Sequence, residues 1–247
     1  MRIVSLVPSL TETLAALGLD EAVVGLTRFC VHPPDWRTRK AIVGGTKAVR
    51  VDRVRALAPD LVVANREENT RADVEAVATF APVVVTDIAT VDGALAAIRD
   101  LGHRTGCGEA ADALAARLAA AFAAPPDGSP AAPALRVAYL IWRDPWMVAG
   151  GDTFISDVLA RCGLANVFAD RPRYPAVTPA DLAAARPDAL LLSSEPYPFD
   201  ERHVAELGAL VPGVPAVRVD GEAFSWYGPR MAGAPTEAAR LRAALGT

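Results

Sequence analysis

The segment Ala58-Pro59-Asp60-Leu61-Val62-Val63-Ala64-Asn65 returns later in the chain as Arg186-Pro187-Asp188-Ala189-Leu190-Leu191-Leu192-Ser193-Ser194. Each copy follows a short Leu/Ala-rich stretch of helical character. Each runs into a polar loop holding a carboxylate, Glu67 and Glu68 in one case and Glu195 in the other. A second pair lies upstream: Arg2-Ile3-Val4-Ser5-Leu6-Val7 leads to a stretch ending Leu17-Gly18-Leu19, and Arg136-Val137-Ala138-Tyr139-Leu140-Ile141 leads to one ending Cys162-Gly163-Leu164. Echoes this far apart are not the short-period units of a solenoid; they predict two similar α/β lobes. Such lobes enclose a cleft, and small-molecule sites favour clefts at domain junctions.

Between these landmarks strands and helices alternate. Residues 2–7 form a β-branched run that stops at Pro8 and predict a buried strand. Ser9 stands at a helix-cap position with Glu12 three residues on, and Leu10, Leu14 and Leu17 stripe one face as far as Gly18. Residues 22–26 predict a strand opening into the loop 27–34, and Gly44-Gly45 a turn. Helices are expected over 51–57 and 71–80, and strands over 61–64 and 83–86. From 91 to 124 the chain lacks proline and is rich in alanine and leucine, which predicts helices over 91–104 and 108–123, broken at Gly106-Cys107-Gly108. A Pro/Gly/Ser stretch follows over 125–133. The expected organisation is an N-terminal α/β lobe (1–88), a helical connector (89–133) and a C-terminal α/β lobe (134–247). Alternation of this kind implies parallel βαβ units. The fold class is therefore α/β: two Rossmann-like lobes with mostly parallel sheets, joined by a long helix, with a ligand cleft between them. A helical joint resists bending, so small lobe motion is expected.

Composition removes several classes. A net charge of -4 argues against nucleic acid, which rewards a basic stripe. The three cysteines, Cys30, Cys107 and Cys162, lie far apart and suggest neither a disulfide scaffold nor a zinc ribbon. No apolar run has the length of a membrane span. The first strand begins at Arg2 and leaves no room for a leader, so the expectation is a cytoplasmic protein as written, or a periplasmic or surface-anchored one if a leader was trimmed. There is no G-x-S-x-G elbow, Walker A lysine loop or H-E-x-x-H. A non-catalytic protein without a catalytic cofactor is expected.

Parallel sheets collect ligands at the carboxyl ends of their strands. That rule selects the loops beginning at Pro8, Thr27, Asn65, Trp142, Ser193 and Asp220. All four tryptophans, Trp36, Trp142, Trp146 and Trp226, lie outside the expected helices, and Phe29, Tyr197, Phe224 and Tyr227 join three of them in strand-end loops. Such rings suit a flat, rigid, partly apolar ligand; the competing reading is that each ring caps its own lobe's core. Arg28, Arg66, Arg143 and Arg230 accompany the rings, either as forks for phosphate or carboxylate or as solvated charges, and the aromatic neighbours favour Arg66, Arg143 and Arg230 as the forks. Cys30 and His32, one residue apart, are candidate ligands for a borderline metal, against a purely structural role beside Pro33-Pro34. Gly150-Gly151-Asp152-Thr153 has the look of a helix start capped by Asp152 or Thr153, with anion binding as the alternative.

The opening Arg2-Ile3-Val4-Ser5-Leu6-Val7-Pro8-Ser9-Leu10-Thr11-Glu12, the segment Ala58-Pro59-Asp60-Leu61-Val62-Val63 and the segment Phe224-Ser225-Trp226-Tyr227-Gly228-Pro229-Arg230 together resemble the vitamin B12-binding branch of the class III substrate-binding proteins. That group serves ABC importers and is also called the helical-backbone metal receptor superfamily. The resemblance runs from Arg2 to about Leu245. It implies two α/β lobes on one long backbone helix, and a cobalamin, haem or ferric siderophore held between them without chemistry. It places the loops after Pro8, Phe29, Asn65, Trp142 and Phe224 around the ligand, and so implies Pro8, Ser9, Phe29, Arg66, Trp142, Arg143, Trp146, Phe224, Trp226, Tyr227 and Arg230 as ligand contacts. It also implies a carboxylate on each lobe that docks on the permease subunits, with Glu67 or Glu68 and Glu195 or Glu201 as candidates. The run Asn65-Arg66-Glu67-Glu68-Asn69 departs from the branch, which carries an aromatic and small residues there.

The leading expectation is thus a monomeric receptor for a cobalamin-like corrinoid or related metal macrocycle, linked to ABC-type uptake. Ferric siderophore or haem binding is the alternative within the same class, with Arg66, Arg143 and Arg230 neutralising an anionic chelate. A cytosolic metal-handling enzyme or metallochaperone using Cys30 and His32 is the alternative from another class.

Overall fold

The computed structural model of the chain describes residues 1–123 and 134–246. The proline-rich stretch expected to separate the lobes, 125–133, lies outside the described residues. The chain divides into two compact units, one built from residues 1–88, 92–117 and 227–229, the other from 89–91, 118–226 and 230–247.

The first unit contains β1 (Ile3–Ser5), α1 (Pro8–Ala16), β2 (Val23–Leu26), α2 (Trp36–Arg39), β3 (Ala41–Ile42), β4 (Gly44–Gly45), β5 (Ala48–Val49), α3 (Val51–Ala56), β6 (Leu61–Asn65), α4 (Arg71–Ala78), β7 (Val83–Thr86) and α5 (Val91–Thr105). The next helix, α6 (Gly108–Ala123), contains the point at which the chain passes from the first unit to the second. The second unit contains β8 (Leu135–Trp142), β9 (Met147–Val148), α7 (Phe154–Arg161), β10 (Leu164–Asn166), α8 (Pro179–Ala185), β11 (Ala189–Ser193), α9 (Glu201–Leu210), β12 (Ala216–Val219), α10 (Gly221–Ser225), a 3-10 turn (Pro229–Gly233) and α11 (Ala234–Leu245). The two expected connector helices and their break are present. Gly106 adopts a φ of +75°, and the Cys107 N–H reaches back to the Gly102 carbonyl at 2.8 Å, closing α5.

The first sheet runs β3-β2-β1-β6-β7 and the second β10-β8-β11-β12, every neighbouring pair parallel. Strands β2-β1-β6-β7 and β10-β8-β11-β12 share one order, so each unit changes winding direction beside its first strand, at β1/β6 and at β8/β11. β1, β6 and β11 are buried at every residue, as strands covered on both faces should be.

The Pro-Asp echo has a common structural cause. The Asp60 carboxylate accepts the backbone N–H of Arg2 at 2.7 Å, and the Arg2 carbonyl accepts the Asp60 N–H at 2.8 Å. In the second unit Asp188 accepts from the Arg136 N–H at 2.8 Å and returns its own N–H to the Arg136 carbonyl at 2.7 Å. The arginine of each pair then donates its side chain to carbonyls that end the preceding helical stretch, Leu57 in one unit and Ala185 and Arg186 in the other. Each motif therefore pins the start of the first strand to the start of its neighbour. The downstream registers follow: Ile3 beside Leu61, and Val137 beside Ala189.

Local expectations fail where tertiary packing sets the helix start. Ser9 is not a cap: the cap falls two residues earlier, at Val7 without a side-chain bond, with Pro8 in the first turn of α1. Trp36, expected outside helices, opens the short α2 and is buried. At Gly150-Gly151 the cap reading holds, since Thr153 accepts the Ser156 N–H. The glycines admit the backbone carbonyls of Arg171 and Ala169, which a β-carbon would meet at 2.2 and 2.0 Å.

Replacing Asp60 or Asp188 with alanine leaves a strand-leading N–H without its acceptor. Each change is expected to cost about 1 kcal/mol. The double variant should lose the sum, because the two clamps share no partner. Urea unfolding of the three variants checks this, and a loss in one clamp alone would contradict an equal role for both.

Candidate functional site

At the strand ends of the first unit, a buried polar cluster fixes the β1–α1 corner. The Thr11 hydroxyl lies within hydrogen-bond reach of the Val7 carbonyl (2.8 Å), the Ser5 hydroxyl (2.8 Å) and the Cys30 thiol (3.0 Å). Thr27 reaches the same sulfur at 3.3 Å. Burial pushes the Cys30 thiol upward, which disfavours the thiolate that a metal requires. Among the described residues no group of three or more His, Cys, Asp or Glu side chains is arranged to hold a metal. Cys30 serves the corner's hydrogen bonding through Thr11 and Thr27.

Beside this corner, Arg28 and Phe29 face outward from the loop after β2. The Phe29 ring is 48% exposed, and the Arg28 guanidinium carbon lies 4.9 Å from its centre. In the loop after β6, the Asn65 side-chain oxygen Oδ1 accepts the backbone N–H groups of Glu67 (2.8 Å) and Glu68 (3.3 Å). Asn69 accepts the Asn65 N–H and donates to the Leu6 and Thr46 carbonyls. Lys47 donates to the Glu67 carbonyl. Glu67 and Glu68 thus stand, half-buried, on a loop held from several directions. Arg66 is exposed and paired with Asp87 at 2.7 Å.

In the second unit β8 turns back into β9, and this hairpin carries Trp142, which is 40% exposed. Its ring meets Tyr197 edge-on with centroids 5.5 Å apart, and Tyr197 packs on Phe199 at 4.7 Å. Phe199 lies parallel to Trp146 at 6.1 Å. His203 touches both Tyr197 and Phe199 edge-on and shares a 3.1 Å hydrogen bond with the Tyr197 hydroxyl. The result is an aromatic stack whose base lies in the core and whose tip is Trp142.

Several of the expected contact residues are buried or half-buried. Trp146 is 7% exposed and belongs to the second unit's core, and Phe224 is fully buried against Tyr139 at 5.6 Å. Trp226 and Tyr227 are also buried. Pro8 is half-buried and Ser9 buried within the first turn of α1. Arg143 lies over Trp146 and grips Glu206 through two nitrogens, at 3.0 and 2.5 Å, with Asp144 as a further partner. Arg230 pairs with Glu222 at 3.0 Å. All three arginines expected to clamp an anion are thus already matched by carboxylates.

The docking carboxylates also separate. Glu201 is exposed and paired with Arg218 at 3.2 Å. Glu195 turns inward: Ser225 and the Trp226 indole donate to its carboxylate, while Ser193 bonds its backbone. Burial drives the Glu195 carboxyl above the ordinary range, assisted by the charges of Glu222 and Asp220. Its carboxylate is thus engaged by Ser225 and Trp226. Sequence reasoning passed over Glu206 and His203 as supports of the Arg143 and Trp142 loops. Both sit on α9; no local spacing signals the Arg143–Glu206 contact across 63 residues, and His203 acts on Trp142 only through Tyr197.

Comparison with known proteins gives a consistent picture. Residues 3–218 match the model of the periplasmic binding protein family. A vitamin B12-binding protein of Pectobacterium carotovorum subsp. carotovorum is 28% identical over 235 residues, covering 93% of this chain and 84% of the relative. Among solved structures, the periplasmic haem-binding protein RhuT from Roseiflexus sp. RS-1, in apo form, superposes with a TM-score of 0.84 at 25% identity, covering 100% of this chain and 99% of that one. The periplasmic vitamin B12-binding protein BtuF of Vibrio cholerae gives a TM-score of 0.80 at 20% identity, covering 100% and 98%, a likeness of fold.

A carboxyl raised by burial weakens the fold once it ionises. Glu195 leaves stability intact below the ordinary glutamate range, where it is protonated folded or unfolded. Stability then falls as pH rises from that range through the elevated folded value. Glu195→Gln keeps an acceptor for Ser225 and Trp226 without the charge. It should raise Tm by about 2–4 °C at pH 8, a gain that disappears near pH 4. Melting curves across that window check this, and a gain that persisted at pH 4 would contradict it.

Proposed function

Because the chain belongs to the periplasmic binding protein family, we propose that it is the receptor for a cobalamin-like corrinoid, engaged by strand-end loops that carry exposed rings. The family implies a small-molecule ligand and a transporter partner. The carrying observation is that each unit exposes one large ring at the carboxyl ends of its strands, Phe29 in the first and Trp142 in the second. Exposed rings on supported loops suit the faces and apolar edges of a macrocycle. The relative's name points to the same ligand. Trp226, Tyr227, Pro8 and Ser9 take supporting places around it, shaping the loops. Haem is the second reading, favoured by the likeness to a haem-binding protein at 25% identity. The carboxylate partners of Arg66, Arg143 and Arg230 weigh against an anionic ferric siderophore.

In this reading the chain acts as a monomer outside the cytoplasm, catalyses nothing and passes its ligand to ABC-type permease subunits. Glu67, Glu68 and Glu201 supply the docking charges. Residues 1–88 and 134–247 are the ligand-holding lobes, and 89–133 connects them. Among the described residues no helix is long and apolar enough to cross a membrane.

Titration with cyanocobalamin and with haemin, followed by tryptophan fluorescence, tests the proposal. Cyanocobalamin should bind the more tightly. Phe29→Ala and Trp142→Ala should each weaken it about tenfold while leaving Tm nearly unchanged. Trp146→Ala, by contrast, should cost roughly 3–5 kcal/mol of stability. A folded protein silent toward both ligands would overturn the reading.

A further inference from the structure

Of the four arginines in strand-end loops, Arg28 differs from the rest. Arg66, Arg143 and Arg230 each face a carboxylate at 3.0 Å or less. No carboxylate lies within ion-pair distance of Arg28 among the described residues, and its guanidinium instead rests over the Phe29 ring. The pair is seated on bare backbone. A β-carbon at Gly45 would meet the Phe29 ring at 3.1 Å and the Arg28 guanidinium at 3.4 Å, so glycine there lets both side chains lie flat. The Arg28 N–H is anchored to the Gly44 carbonyl at 2.9 Å, which fixes the root of the side chain. The nearby Lys47 ammonium is occupied by the Glu67 carbonyl.

A guanidinium stacked on a ring keeps its outer edge and face available. It is less hydrated than an ammonium, and its paired N–H groups match the oxygens of a phosphate or carboxylate. One such group beside one exposed ring recognises a ligand that presents an apolar ring system together with a single anionic group. Corrinoids meet that description. In cobalamin the ring's side chains are amides, and the one anionic group on them is the phosphodiester that links the ring to its nucleotide arm. Haem presents two carboxylates, and Arg28 can match only one of them.

We infer that Arg28 is a specificity-determining contact for the phosphodiester of a complete corrinoid, beside the ring contact made by Phe29. This rests on the corrinoid reading above, and the test separates the two. Cyanocobalamin and dicyanocobinamide share the ring, but the second lacks the nucleotide arm and its phosphodiester. Calorimetric titration of the wild type and Arg28→Gln with both ligands is the experiment. Arg28→Gln should weaken cyanocobalamin about tenfold and leave dicyanocobinamide within about twofold, while Arg28→Lys recovers part of the loss. Added salt should weaken cyanocobalamin binding in the wild type and much less in Arg28→Gln. An equal loss for both ligands, or none for cyanocobalamin, overturns the inference while leaving a corrinoid receptor standing. A wild type that binds neither corrinoid overturns both.

Discussion

The reciprocal hydrogen bonds between the first strand and the Pro-Asp motif of its neighbour organise each unit. Arg2 with Asp60, and Arg136 with Asp188, tie two strand starts by an aspartate that accepts a backbone N–H and by a ladder bond returned to the arginine. A parallel pair has no tight turn to set its register. Some side-chain contact must do so, and here a short carboxylate does. Once Ile3 faces Leu61 and Val137 faces Ala189, the strand ends fall where Ser5 leads to α1 and Asn65, Trp142 and Ser193 open into loops.

Those loops resolve a competition between two uses of aromatic side chains. Burying a ring gains apolar transfer energy; leaving it exposed gives that up and invites a partner. Trp146, Phe199 and Phe224 take the first course, and Phe29 and Trp142 the second. The two uses are linked, because Trp142 stands on Tyr197, which stands on Phe199 and is held by His203. An exposed ring backed by buried ones has little freedom to collapse, and such preorganisation lowers the entropic cost of binding. Charge follows the same economy. Arg143, Arg230 and Arg66 are matched by carboxylates within the protein, while Arg28 rests on the Phe29 ring.

Much of the architecture was legible in the chain. The repeated Pro-Asp segments and paired first strands marked two α/β units. The helices 91–104 and 108–123 were readable from composition and from Gly106, because helix propensity and a left-handed stop act over a few residues. The helix caps show where that legibility ends. Thr153 caps α7 as its surroundings suggest, but Ser9 does not cap α1, because Pro8 enters the first turn and the cap falls two residues earlier, at Val7. The short β3, β4, β5 and β9 have two residues each; Gly44-Gly45 of β4 was read as a turn, since so brief a strand carries no periodic signal.

The candidate site divides along the same line. The sequence by itself determined the fold class, the strand-end loops and the set of rings and arginines within them, since these rest on periodicity, turn chemistry and the carboxyl-end rule for parallel sheets. Only the tertiary structure decided which members of that set face outward. Whether Trp146 lies under Phe199, whether Arg143 meets Glu206, and whether Glu195 turns toward Ser225 depend on residues tens of positions away. Burial and ion pairing are properties of the packed chain, and local sequence carries no record of a neighbour that only folding brings near.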